Sequence, residues 1–173
     1  METVIENILA GLKNRLHDGK LMIQSSGGYC YEAECLFHEP LTEYVMQQFE
    51  RQTLFTLPKE YRQFLLLHNG MTLFKGTFEG HIELYRLEDI PNHYKTFRDA
   101  FSSYLDDDKK DSYPIGYYTN IGMIMIHNGK AKDGKEDYLW ITSIDSIVLP
   151  HHFQTWLDRT IISQGSPYWS WCD

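Results

Sequence analysis

The side chains able to hold a metal or start a reaction are few, and their spacing speaks against most such chemistry. Cys30, Cys35 and His38 lie close enough along the chain to suggest half of a zinc site. They fall in an alternating stretch, however, and two cysteines an odd number of positions apart on one strand point to opposite faces. No second Cys/His pair follows nearby to complete four ligands. His151-His152 opens a helical stretch, where adjacent side chains diverge by about 100° and do not readily share an ion. His68 falls on an apolar stripe and reads as a hydrogen-bonded core histidine. Lys75-Gly76-Thr77 has the wrong residue order for a phosphate-binding loop. Neither a Gly-x-Ser-x-Gly elbow nor a His-Glu-x-x-His helix occurs. Glu79, Glu83, Glu88 and Asp89 do not pair as acid and base on spacing alone. No catalytic, cofactor-binding or metal residue is assigned, and the expected activity is binding.

Charge narrows what is bound. The 173-residue chain carries 24 acidic against 16 basic residues, a net charge of −8, with the basic ones scattered singly. Phosphate backbones demand clustered Lys and Arg, so direct nucleic-acid binding is not expected. An acidic surface selects basic protein partners and speeds their encounter. No apolar run reaches the roughly 18 residues of a membrane span, and Met1-Glu2-Thr3 does not begin a secretory leader. Three cysteines without framework spacing fit a reducing compartment, so the expected location is cytoplasmic.

The elements that would position a binding surface are organised around Leu57 to Gly70. Pro58 suits the first turn of a helix, and Thr56 is placed to cap it. Tyr61, Phe64, Leu65 and His68 fall on one stripe, and Asn69-Gly70 is a stop signal. Upstream, Val4 to Leu16 repeats at helical spacing. Leu21–Ile23 and Tyr29–Phe37 form a hairpin around Ser25-Ser26-Gly27-Gly28, with Tyr29, Tyr31, Ala33, Cys35 and Phe37 on one face. A helix is expected from Pro40, burying Leu41, Tyr44, Val45, Gln48 and Phe49.

Downstream the period changes to two. Met71–Phe74 and His81–Arg86 are strands, Leu87–Pro91 a helical turn, and Asn92–Leu105 a helix with Tyr94, Phe97, Phe101 and Tyr104 at helical intervals. Asp106 to Asp111 is a charge run of the kind that is usually a solvated loop. Pro114–Tyr118, Ile121–Ile126 and Asp137–Ser143 are strands, with Asn128-Gly129 and Asp133-Gly134 as turns. Ser146–Pro150 leads into a last helix with Phe153, Trp156, Leu157, Thr160 and Ile161 inward. The aromatic tail, Tyr168, Trp169 and Trp171, is expected to fold back over the sheet.

Several of these pieces, in order, resemble the SUKH superfamily, which includes fungal regulators of cell-wall synthesis and many bacterial immunity proteins. They are Phe49-Glu50; Leu57-Pro58-x-x-Tyr61-x-x-Phe64-Leu65 with Asn69-Gly70; Ile82-x-Leu84-Tyr85-x-Leu87-Glu88-Asp89-Ile90; Pro114-Ile115-Gly116 with Gly122 and Ile124-x-Ile126; and His152-Phe153-x-x-Trp156-Leu157. The resemblance implies one α+β domain over residues 1–173, with a mainly antiparallel sheet flanked by helices and no catalytic centre. A family-like core spans about 40–163, preceded by a helix and hairpin at 2–38 and followed by the tail at 164–173. It implies an antidote that blocks the active cleft of a cognate toxin domain, a basic protein such as a nuclease. The alternative is an intracellular regulator or scaffold of the cell-wall-synthesis type. The expected partner-binding residues are acidic and aromatic ones of strands and loops: Glu79, Glu83, Asp106, Asp107, Asp108, Asp111, Tyr117, Tyr118 and Trp140.

Overall fold

The first helix, α1 (Val4–Lys13), is fixed at its start by a reciprocal cap. The Thr3 hydroxyl accepts from the Glu6 N–H at 3.2 Å, and the Glu6 carboxylate accepts from the Thr3 N–H. The structure, a computed structural model, describes residues 3–25, 27–76, 81–101, 103–143 and 146–171. After α1 come β1 (Lys20–Gln24), β2 (Cys30–Phe37), α2 (Glu43–Thr53), α3 (Lys59–Leu65), β3 (Met71–Lys75) and β4 (Ile82–Leu84). A 3₁₀ turn at Leu87–Asp89 leads into α4 (Ile90–Phe101), followed by α5 (Asp107–Lys110), β5 (Ser112–Tyr118) and β6 (Gly122–His127). The chain closes with α6 (Asn128–Lys132), β7 (Leu139–Ile141), β8 (Ile147–Leu149), α7 (Phe153–Ile162) and a 3₁₀ turn at Tyr168–Ser170. Each strand pairs antiparallel with the next in sequence, giving an eight-stranded sheet in an α+β fold.

One face of this sheet carries the main core. Ala33, Cys35, Leu73, Ile82, Leu84, Ile115, Ile124, Leu139 and Ile141 point into it and meet α1, α3 and α7 together with Met46 and Phe49 of α2. Those helices contribute Ile5, Leu9 and Leu12 from α1, Tyr61, Phe64 and Leu65 from α3, and Phe153, Trp156 and Leu157 from α7. Tyr61 and Phe64 lie 5.0 and 5.4 Å from the Phe153 ring, separations at which aromatic pairs add to area burial.

The stop signal after α3 acts at long range. Gly70 has φ of +86°, and a Cβ there would sit 2.6 Å from the Leu84 carbonyl oxygen, so the turn admits only glycine beside β4. Buried Asn69 accepts from the Leu87 N–H and donates to the Glu88 carboxylate, both at 2.8 Å. Glu50 likewise accepts from the Leu57 N–H at 2.9 Å. Motif pieces that are separate in sequence are thus bonded to one another in space.

Several local expectations are corrected. Thr56 does not cap α3: its N–H donates to Asn128 Oδ1 at 2.8 Å and its carbonyl accepts from Tyr113 Oη at 2.6 Å. α2 begins at Glu43 with Thr42 as its cap, not at Pro40. It buries Met46 and Phe49 and leaves Tyr44 and Val45 exposed. His68 falls beyond α3, half-buried, and its Nδ1 bonds the His38 carbonyl at 2.8 Å. The charge run from Asp107 and the Asn128-Gly129 segment form the short helices α5 and α6, and Ile147–Leu149 is a strand. The last helix buries the five residues expected of it.

Candidate functional site

The second face of the sheet is only partly covered, by a small second cluster around Phe97, Met125 and Trp140. Strand register fixes which residues share it. Leu36 pairs with Thr72, Thr72 with Glu83, Glu83 with Tyr117 and Tyr117 with Met123, making one row across five strands. Beside it Pro114 pairs with Met125, Met125 with Trp140, and Trp140 with Val148. A register shift between Pro114 and Gly116 keeps both rows on the same face, since a bulge adds one residue to a strand.

The connection from β4 to β5 lies over part of this face. Phe97 of α4 is fully buried against Met125 and Trp140, and its ring meets Trp140 edge-on at 6.5 Å. The Trp140 indole N–H donates to Ser112 Oγ at 3.1 Å, and Lys109 of α5 places its ammonium 5.9 Å over the same ring. Asp108 and His127 bond at 3.1 Å, tying α5 to the end of β6. His127 Nδ1 accepts from the Lys130 N–H that opens α6, which leaves the Nε2 hydrogen to bond Asp108. That bond holds the Asp108 carboxyl below its ordinary range, and a bond from Lys110 does the same for exposed Asp107.

Where α4 ends, the cover stops and a groove of about 490 Å³ opens. Tyr117, Met123 and Trp140 form its floor, and Phe101, Tyr104 and Leu105 one wall. Phe101 is 43% exposed and Tyr104 84%, and together with half-open Tyr117 they give a cluster of accessible large apolar side chains. Contiguous exposure of this kind is uncommon on a surface without a partner.

The expected binding residues divide accordingly. Glu83 and Tyr117 are exposed neighbours in register, and Asp106, Asp107, Asp108 and Asp111 lie on or beside α5, next to Leu105 of the groove wall. Asp107 and Asp108 are therefore helical, where loop positions were expected. Trp140 is only 3% exposed and serves as floor rather than surface. Tyr118 turns to the opposite face, 6% exposed, and packs edge-on against Trp169 at 5.7 Å as the tail folds back. Glu79 lies outside the described residues. Phe101, Tyr104, Leu105 and Met123 were missed. Phe101 and Tyr104 already stood on the helical stripe of residues 94–104, but a stripe does not say where its helix runs out of sheet.

The histidine and cysteine candidates have other employment. Cys30 is exposed and Cys35 buried, on opposite faces of β2. His152 Nδ1 accepts from the Thr155 N–H at the start of α7, and Arg159 donates to His151 at 2.7 Å. No described helix is long and apolar enough to cross a membrane.

Fold and wiring together define a family. Residues 40–159 match the SMI1 / KNR4 family (SUKH-1), and the chain belongs to it. Over 99% of its length it is 29% identical to the uncharacterised protein YobM of Bacillus subtilis (strain 168), covering 94% of that protein. It is also 30% identical to the uncharacterised YnaB of the same organism, across 77% of this chain and 85% of that one.

Proposed function

We propose that this is a non-enzymatic immunity protein, which binds a cognate bacterial toxin domain and blocks its active cleft. The observation that carries the reading is the outer face, where an aromatic groove opens beside residues 106–111, four carboxylates against two lysines, on a chain of net charge −8. A toxin that acts on nucleic acid presents a cationic cleft, so a nuclease domain is the partner best matched in sign. Interface energy concentrates in a few buried aromatics, while rim charges set orientation and encounter rate. Membership of a family with binding rather than catalytic members supports the same conclusion.

The test is co-expression and binding with the product of the adjacent open reading frame. The expected outcome is rescue of growth and a stable one-to-one complex that abolishes the toxin's turnover. A neighbour with no toxicity and no affinity would turn the reading to the regulatory alternative, a cytoplasmic scaffold using the same domain.

A further inference from the structure

We infer that the outer face receives one segment of the partner, carrying a large apolar anchor side chain with a Lys or Arg beside it. The anchor enters the groove over Met123 and Trp140, and the basic residue meets Glu83. This rests on the toxin-binding reading and specifies the chemistry its partner must present.

Three observations support it. The row Leu36, Thr72, Glu83, Tyr117 and Met123 crosses five strands, a track of about 19 Å at the usual spacing between strands. Its end at Tyr117 and Met123 is the floor of the groove, so track and groove are one continuous surface. Glu83 is its sole charge, exposed and without an ion-pair partner among the described residues, whereas Glu32 is paired with Lys20 and Asp107 with Lys110.

The surrounding charge agrees in sign. On and beside α5, next to the groove wall, Asp106, Asp107, Asp108 and Asp111 stand against Lys109 and Lys110. The balance is negative by two, so attraction is modest in total and concentrated where a carboxylate is unpaired. A second copy of this chain is the wrong occupant, because a two-fold contact through the track brings like charge towards like.

The experiment measures affinity of the adjacent-gene product for the full-length protein by calorimetry, with three variants. Met123→Glu, which puts a carboxylate in the anchor's place, is expected to weaken binding by about 30-fold or more. Glu83→Arg replaces an exposed side chain, which the fold tolerates, and is expected to weaken it by about 10-fold. Asp133→Arg, on the α6 turn away from the groove, is expected to leave it within about 2-fold. Unchanged affinity in both groove variants, with tight wild-type binding, overturns the inference and spares the toxin-binding reading. Absence of wild-type binding removes both. A dimer of the isolated protein that Glu83→Arg dissociates would also overturn it, by making the track a self-contact.

Discussion

Phe64 is the residue at which sequence and core meet most directly. It is fully buried, stacked on Tyr61 and tilted against Phe153. Truncation to alanine leaves a cavity that rigid neighbours on three elements do not refill, so Phe64→Ala should cost about 3–5 kcal/mol in urea denaturation. His68 makes a prediction of the opposite kind, conditional on pH. Burial, with Lys13 close by, lowers its pKa from 6.5, against a partial restoring effect of its bond to the His38 carbonyl. Its Nε2 lies 2.6 Å from the Lys13 ammonium, so a proton on that nitrogen would set two cations together. The native ring therefore binds fewer protons than the unfolded one below pH 6.5. Stability is full above that value and declines as pH falls through the lowered pKa. Urea midpoints should drop between pH 7.5 and 5, and His68→Gln should flatten that drop. An identical slope in the variant would assign the acid sensitivity to other groups.

At the scale of elements, what was legible depended on whether one segment contains its own evidence. α3 and α7 do, since the apolar stripe of each lies within one short run. β8 does not, because three residues before Pro150 are too few to show alternation. α2 was misplaced because Thr42, not Pro40, supplies the cap, and starting the helix there turns Met46 inward instead of Val45. The groove was least legible, because it joins residues 97–105 to residues 117–146 through a connection whose path no local pattern records. Trp140 shows the limit well: alternation puts it opposite Leu139 and Ile141, but not under Phe97. The carboxylates that open α5 can be tested as a unit. Reversing Asp106, Asp107 and Asp108 to lysine removes the attraction that steers a basic partner, and should slow association by about 10-fold at low salt. The salt dependence of the rate should flatten in parallel. An association rate unchanged in stopped flow would take α5 out of the encounter surface.

For the whole molecule, the family match begins at residue 40, yet the core does not. β2 pairs with β3, α1 packs on both α3 and α7, and Ile5, Leu9, Leu12, Ala33 and Cys35 belong to the same buried cluster as Phe64 and Trp156. A chain lacking residues 1–38 would expose the inner faces of α3 and α7 together with the edge of β3, a large apolar surface bordered by unpaired backbone groups. The fragment 39–173 is therefore expected to lose its cooperative urea transition and its near-ultraviolet circular dichroism, while the full chain unfolds in one step. A fragment that kept both signals would make the N-terminal helix and hairpin a dispensable addition. The full chain's coverage of YobM nearly end to end agrees with a unit that includes its first forty residues, since a detachable ornament need not persist across a relative of only 29% identity.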